Sequence, residues 1–488
     1  MGFLIKIKKG VKTMENKSME KRYGFGTALA MVIGTVIGSG VFIKGGKLLA
    51  KTGGDLKTGI LAIACCGAIC IICSLVFAEL SSKYNKVNGL VDYAEVALGP
   101  KYAYYVGWFN TTIYTPSLCA VLAFFSGLFF CNLFGIRTID LENGCFSAEI
   151  IGAGAGFLIL GFAINILSPK LGGKLQVSMT VIKLIPLVLM GVIGTIYGLK
   201  TGNSQTVLDF VNTAEYEPVE NGFFSAVVAF AFSFEGWILA TTLNSEMKEP
   251  QKTLPKALIV GAFVVVVIYT LYIFSMSSLG SVSDILGTWP LGQDLAKMAF
   301  VPIFGTFISK IFEAFIVISC LGTMNGLIMA NCRSQYAIAS RGMGPMADWF
   351  GDIDKQNSFP IKSAIFGMIF AGFWFGWDMI MYWNGPDFMG TTHGNMFFGY
   401  EPDEVCIVNL YAMYIPMFIA LIKKNKDFNF VKRFVVPILG LACCFFMVFC
   451  CWKGWGTMAC LGYLTMFFVV MLIGRFFMHP ERAVRTLE

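Results

Sequence analysis

Long apolar runs alternate with short polar segments along the entire chain. A transmembrane helix needs about 20 consecutive apolar residues, and twelve runs come close to that length. The polar segments between them are too short to form a soluble domain. The pattern therefore predicts an all-α, polytopic membrane protein with twelve transmembrane helices. The runs cover residues 27–43, 58–80, 102–131, 148–168, 176–199, 222–245, 256–279, 304–337, 361–382, 404–422, 434–451 and 457–477.

The composition excludes the common soluble classes. Apolar residues make up 56% of the 488 residues, and charged residues only 14%, against about 25% in a typical soluble domain. The mean hydropathy is +0.69. Too few polar side chains remain to cover a water-soluble globule, which excludes a cytosolic enzyme, a coiled coil and a disordered chain.

Lysine and arginine concentrate in alternate loops. Seven of the 37 lie in residues 1–26, and loops on the same side, such as 81–101 and 423–433, hold most of the others. Because cytoplasmic loops carry the excess of Lys and Arg, both termini are predicted to be cytoplasmic, in a cell membrane. The net charge of +7 is spread over these loops, so no nucleic-acid partner is expected.

The reactive side chains indicate neither a metal site nor an enzyme. Cys70 and Cys73 form a CxxC motif, but within an apolar span we interpret them as small packing residues. The two histidines, His393 and His479, lie outside the spans, and neither HExxH nor GxSxG occurs. No cofactor, metal or catalytic residue is therefore expected.

Two spans carry glycine-rich interruptions at similar depths. The first contains Gly38-Ser39-Gly40, and the sixth contains Ser233-Phe234-Glu235-Gly236-Trp237. Matching interruptions in two five-helix halves indicate an inverted-repeat transporter whose site lies at the breaks. The predicted division is a tail 1–26, a first repeat 27–199, a second repeat 200–422, two additional helices 423–477 and a tail 478–488.

Broken helices expose backbone groups that suit a zwitterion. The start of a half-helix presents unpaired N–H groups to a carboxylate, and its end presents carbonyls to an ammonium. In lipid, such freed groups are tolerated only where they line a cavity or meet a ligand. The alternative is that the glycines only allow close helix packing.

Four segments resemble the amino acid–polyamine–organocation superfamily, and most closely its L-type amino acid transporter branch. The first, fifth, sixth and eighth helices carry the resemblance, in family order. The segments are IGTVIGSGVFIKGG (33–46), LQVSMTVIKLIPL (175–187), FSFEGWILATTLNSEMKEPQKTLPKAL (232–258) and ISCLGTMNGLIMANCRSQYAIASRGMGP (318–345).

The resemblance implies a substrate site at the two breaks. Backbone amides around Ser39 and Gly40 would hold the substrate carboxylate, and the carbonyls of Val36 and Phe232 would hold its amine. The Phe232 ring would gate the site. The expected substrate-binding residues are Val36, Gly38, Ser39, Gly40, Phe232, Ser233, Glu235, Gly236 and Trp237.

Lys183 lies within the fifth span, where a charge is costly and marks a functional position. The resemblance implies that it replaces the sodium ion of sodium-coupled relatives and bridges helix 1 to helix 8, with Ser319 or Thr323 as a hydroxyl partner. The alternative is a lysine whose ammonium reaches the membrane interface.

Glu235 allows three interpretations, because a carboxylate at mid-membrane needs a cation, a donor or a proton. It could pair with a cationic substrate, carry a proton, or hydrogen-bond neighbouring helix ends as a structural group.

The implied function is alternating-access transport of L-amino acids, as a sodium-independent exchanger. Proton-coupled uptake on the same fold is the alternative, and a receptor or an enzyme embedded in the membrane is a more distant one. The expected partners are L-amino acids and the lipid bilayer. A glycoprotein heavy subunit is not expected, because Cys145 lacks the Pro-rich setting of the family's linking cysteine.

Overall fold

The computed structural model describes residues 24–38, 40–83, 89–140, 145–238, 248–282, 286, 295–354, 359–382 and 402–479. Within these ranges the chain is almost entirely helical, which confirms the all-α prediction. Extended pairing there is limited to an antiparallel pair of two-residue strands and an isolated bridge between Asp354 and Phe359. The strands are β1 (Ile139–Asp140) and β2 (Cys145–Phe146).

The first half of the chain contains two interrupted spans. The first span is split into two helices, and the third continues through a π-helical turn at Asn110–Tyr114. The helices are α1 (Phe25–Val36), α2 (Gly40–Lys51), α3 (Leu56–Lys83), α4 (Leu90–Leu98), α5 (Pro100–Phe109), α6 (Thr115–Phe134), α7 (Ala148–Leu167) and α8 (Pro169–Thr201).

The second half is interrupted at its first span, where a 3₁₀ turn (Phe232–Phe234) follows a ten-residue helix. The helices are α9 (Asn203–Leu208), α10 (Gly222–Ala231), α11 (Pro250–Ser277), α12 (Leu295–Ala339), α13 (Ala347–Phe350), α14 (Ile361–Tyr382), α15 (Pro402–Lys424), α16 (Val436–Trp455) and α17 (Thr457–Phe476).

Nine helical segments of the described chain are long and apolar enough to cross a membrane, and two shorter apolar helices lie at Gly222–Phe234 and Cys460–Phe476. The count of twelve spans stays a prediction, as does the division into repeats. Several helices extend beyond their apolar runs: α8 starts at Pro169 rather than at 176, and α12 starts at Leu295 rather than at 304. The predicted run 222–245 is helical to Phe234, turns at residues 235–236 and is helical again at 237–238, while residues 239–247 lie outside the described ranges. Residues 383–401, between the ninth and tenth predicted spans, also lie outside them.

Glycine and proline set the helix boundaries locally. Gly99 adopts a positive φ of 89° between α4 and α5, and Pro100 then occupies the first position of α5. Gly305 has a φ of 74° inside α12 and kinks that helix. Both conformations are inexpensive for glycine because it has no Cβ.

The broken helices lie at the centre of the fold. α1 packs against α8 and α11, while α2 packs against α10 and the 3₁₀ turn. α12 packs against α6, α8 and α2. The first and sixth spans are therefore enclosed by helices from both halves of the chain.

Candidate substrate site

The first span is interrupted between Val36 and Gly40. Ile37 adopts an extended backbone conformation (φ −69°, ψ 96°), and its N–H makes the last bond of α1, to the carbonyl of Ile33. A Cβ on Gly38 would lie 2.8 Å from Thr323 Oγ1. The break therefore packs directly on α12, at a position that accepts no side chain. Ser39 lies outside the described residues.

The sixth span is interrupted immediately after the 3₁₀ turn. Glu235 is extended (φ −73°, ψ 162°) and Gly236 has a φ of 98°. A Cβ on Gly40 would lie 2.7 Å from Ser233 Cα, so the two breaks are in contact. The sequence predicted both interruptions, and the structure brings them together.

A cavity opens between the two breaks, α8 and α12. Leu118, Gln176, Gly326 and Leu327 contribute to its wall. It is also lined by nine of the predicted site residues, which are Val36, Gly38, Gly40, Lys183, Phe232, Ser233, Glu235, Gly236 and Thr323.

Two predicted site residues are placed elsewhere. Trp237 is buried in an aromatic cluster, with its ring centroid 5.6 Å from that of Phe77 and 6.4 Å from that of Tyr414. Ser319 Oγ is buried on α12, and no hydrogen-bond partner for it occurs in the described part of the chain.

Lys183 is buried against the first span. Its Nζ donates a hydrogen bond of 2.7 Å to the carbonyl of Gly34 in α1. The hydroxyl of Thr323 donates to its own helix, at the carbonyl of Ser319. Within the described ranges no hydrogen bond joins Lys183 to Ser319 or Thr323, so the predicted hydroxyl partner on helix 8 is not bonded to the lysine in this conformation.

Tyr269 of α11 connects the two breaks, and the sequence interpretation missed it. Its Oη lies 2.9 Å from the carbonyl oxygen of Val36 and 2.8 Å from that of Ser233. A phenol carries one proton, so it donates to one of these carbonyls at a time. The carbonyl of Phe232 accepts the N–H of Glu235 at 3.1 Å. The apolar run 256–279 contains several hydroxyl side chains, including Thr270 and Tyr272, so the sequence did not single out Tyr269.

Glu235 meets a second tyrosine that the sequence interpretation missed. Tyr114, the last residue of the π-helical turn, donates a hydrogen bond of 2.8 Å to Glu235 Oε2. Glu235 is 8% exposed and also lines the cavity. The carboxylate is therefore held by a neutral donor and remains within reach of a molecule in the cavity.

Two buried ion pairs lie near Phe232. Lys44 Nζ lies 2.8 Å from Asp403 Oδ2, and Lys47 Nζ lies 2.5 Å from Glu404 Oε1. The ammonium of Lys44 also lies 5.6 Å from the centroid of the Phe232 ring. These contacts join α2 to the first turn of α15. We call the end of the site at these ion pairs the Lys47 end. The opposite end, towards the first turns of α8, is called the Gln176 end.

Comparison with known proteins identifies relatives over most of the chain. The sequence model of the family described as amino acid permease matches residues 23–476. The serine/threonine exchanger SteT of Bacillus subtilis is 29% identical over 442 residues, covering 89% of this chain and 92% of the relative. The human b(0,+)-type amino acid transporter 1 is 26% identical, covering 74% and 72%. The human cystine/glutamate transporter is 24% identical, covering 72% and 67%.

Proposed function

The chain belongs to the amino acid permease family, close to the L-type branch of its superfamily, and from this premise we propose that it is a sodium-independent exchanger of L-amino acids. The family and these relatives are transporters, so the protein is a multi-pass membrane transporter and not an enzyme. The observation that carries the proposal is the contact of two helix breaks around one cavity, with Lys183 bonded to helix 1 beside them.

A zwitterion is complementary to the two breaks. The start of α2 at Gly40 carries the partial positive charge and the free N–H groups of a helix N-terminus, which suit a carboxylate. The carbonyls of Val36 and Phe232 suit the ammonium. The carbonyl of Phe232 accepts the N–H of Glu235, and that of Val36 accepts the Tyr269 hydroxyl when this hydroxyl does not bond Ser233. At least one lone pair on each oxygen therefore remains for the substrate.

Lys183 makes a bound cation unnecessary in this scheme. Its ammonium supplies a fixed positive charge next to the break of helix 1, where it bonds the carbonyl of Gly34. Sodium in the medium should therefore have no effect on exchange. Movement of α1 would break this bond, which makes Lys183 a coupling residue rather than a substrate contact.

Alternating access requires one end of the site to close while the other opens. The ion pairs of Lys44 and Lys47 close the Lys47 end, while the cavity continues along α8 to Gln176. With cytoplasmic termini, the Gln176 end faces the cytoplasm. We therefore assign this conformation to the half of the cycle in which substrate exchanges with the cytoplasm of a cell.

We do not expect a glycoprotein heavy subunit. Cys145 lies in β2, where it pairs with Asp140 of β1, and its neighbours ENGCFSAE lack the Pro-rich setting of a linking cysteine.

Proton-coupled uptake is the second candidate, because Glu235 lies in the cavity wall bonded to the neutral hydroxyl of Tyr114. A carboxyl group in this position could take up a proton with a neutral substrate. Exchange and symport differ in one requirement: an exchanger needs an amino acid on both sides of the membrane.

Counterflow in proteoliposomes tests the proposal. Vesicles loaded with one unlabelled L-amino acid at a time are placed in a trace of the same labelled amino acid, for all twenty. We expect uptake only into loaded vesicles, unchanged when choline replaces sodium. Uptake into empty vesicles driven by a proton gradient would favour the symporter, and no uptake of any amino acid would overturn both transport functions.

A further inference from the structure

Two cysteines on neighbouring helices have their thiols in contact. Cys451 lies one turn before the end of α16, and Cys460 lies in the first turn of α17. Cys460 Sγ donates a hydrogen bond of 3.4 Å to Cys451 Sγ. Cys451 is buried, Cys460 is half-buried, and neither is in a disulfide. The pair therefore combines one thiol that a reagent can reach with a second thiol beside it.

The two sulfur atoms are close to the separation that a disulfide needs. A disulfide holds its sulfurs about 2.05 Å apart, so the Sγ atoms must approach by about 1.4 Å from their present 3.4 Å. Rotation of the two side chains about their Cα–Cβ bonds covers a movement of this size. The bond would close a ring of ten residues, 451–460, around the tip of the helical hairpin.

The hairpin between these cysteines packs on both half-helices at the Lys47 end. The centroid of the Trp455 ring lies 5.3 Å from Lys47 Nζ and 4.4 Å from Lys51 Nζ, both in α2. The carbonyl of Gly454 accepts a hydrogen bond of 3.0 Å from the hydroxyl of Ser225 in α10. A Cβ on Gly454 would lie 2.7 Å from the backbone nitrogen of Ser225, so the two backbones are in contact. Opening of the Lys47 end therefore moves α2 and α10 against this hairpin.

We propose that Cys451 and Cys460 form a redox-sensitive disulfide that restrains the hairpin and slows opening of the Lys47 end. The disulfide site stands on the thiol contact alone, whereas its effect on exchange rests on the proposed function. A covalent ring at the tip of the hairpin limits how far the segment between the cysteines can follow α2 and α10 when these half-helices move.

The oxidant for this step is a low-molecular-weight organic disulfide. The half-buried Cys460 loses its proton, and its thiolate attacks one sulfur of the reagent, whose S–S bond breaks and releases one thiolate. The thiolate of Cys451 then attacks Cys460 Sγ and expels the second half of the reagent. Two protein thiols are oxidised, the reagent is reduced to two thiols, and the two cysteine protons end on those thiols. An excess of a dithiol reverses the reaction.

Oxidised glutathione, a disulfide of this class, is the probe. The whole chain is purified under reducing conditions and treated with the probe in detergent. Samples then go to peptide mapping by mass spectrometry, to a thermal unfolding scan and to proteoliposomes for exchange. Cys451→Ser and Cys460→Ser each remove one thiol of the pair. Cys131→Ser is the matched control, because Cys131 is a buried cysteine of α6 outside the pair.

We expect the oxidised wild type and oxidised Cys131→Ser to contain a cross-link between Cys451 and Cys460. Their Tm should rise by about 2–3 °C, from the entropy that a ring of about ten residues removes from the unfolded chain. Their exchange should be slowed until dithiothreitol is added. Cys451→Ser and Cys460→Ser should show neither the cross-link nor these two changes. If Cys451→Ser does not fold, Cys460→Ser is sufficient, because Cys460 is only half-buried.

Three results would overturn the inference. They are a glutathione adduct on Cys460 without the cross-link, an equal loss of exchange in oxidised Cys460→Ser, and unchanged exchange in wild type that carries the cross-link. Failure of the proposed function looks different, because the reduced wild type would then exchange no amino acid, while the peptide map and the unfolding scan would still decide whether the disulfide forms.

Discussion

The buried ion pairs at the Lys47 end make the sharpest stability prediction. Lys47 and Glu404 are 2% and 1% exposed, with Nζ and Oε1 2.5 Å apart. Substituting Lys47→Met keeps the length of the side chain but removes the ammonium that lies 2.5 Å from the buried carboxylate of Glu404. Breaking a buried pair in this way costs about 3–5 kcal/mol.

This cost converts into a measurable shift of the melting temperature. With an unfolding entropy of about 2.1 cal/mol/K per residue, the 488 residues give roughly 1 kcal/mol/K. We therefore expect Lys47→Met to lower Tm by about 3–5 °C in a thermal unfolding scan of the detergent-purified protein. The double substitution Lys47→Met with Glu404→Met should return Tm to the wild-type value or above it, because apolar replacement of a buried pair is often neutral or stabilising.

Lys51 supplies the matched control. It lies one turn further along α2 on the same face, with its Nζ 4.4 Å from the centroid of the Trp455 ring, and it is half-buried. A cation–π contact of this kind contributes about 0.5–1 kcal/mol, so Lys51→Met should lower Tm by no more than about 1 °C. If Lys47→Met behaves like Lys51→Met, then Glu404 is hydrated and the Lys47 end is open in the dominant conformation, which would refute the reasoning.

Four further predictions concern exchange in proteoliposomes. Gly40→Val should abolish it because the new Cβ would lie 2.7 Å from backbone, whereas Gly152→Val, with no atom within 4 Å, should preserve it; comparable rates would contradict the contact between the breaks. Lys183→Ala should slow maximal exchange about tenfold or more, through loss of a charged hydrogen bond, with a smaller change in KM; a strict sodium requirement in the wild type would refute its role. Tyr269→Phe should raise KM from both faces, and an unchanged KM would show that its hydroxyl is dispensable. Glu235→Gln should selectively slow the exchange of cationic substrates if the carboxylate pairs with them, or flatten the pH dependence of exchange of neutral substrates if it carries a proton. If neither property changes, Glu235 has a structural role only.

The positions of the spans were predictable because lipid imposes one strong rule. Residues buried in hydrocarbon must be apolar over the width of the bilayer, so the run 148–168 matches α7 at Ala148–Leu167 and the run 361–382 matches α14 exactly in its bounds. A hydropathy pattern, however, locates only the part of a helix that lies in the membrane, and not its full length. The start of α8 at Pro169 was therefore missed, since Lys170 and Lys174 are polar but still helical.

The helix breaks were also encoded locally. Glycine is costly inside a helix. At Gly38 a Cβ would meet the Thr323 side chain, at Gly40 it would meet the backbone of Ser233, and Gly236 has a positive φ. Helix breaks could therefore be predicted from the glycines alone, without knowing which residues pack against them.

The partners of each polar side chain were decided only by the tertiary structure. Lys47 and Glu404 are separated by 357 positions, and Tyr114 and Glu235 by 121. An apolar span containing one lysine, tyrosine or glutamine looks the same whether that group faces lipid, a neighbouring helix or a cavity. Its direction depends on how helices distant in sequence pack around it, because a buried polar group is stable only where another element supplies its hydrogen-bond partner.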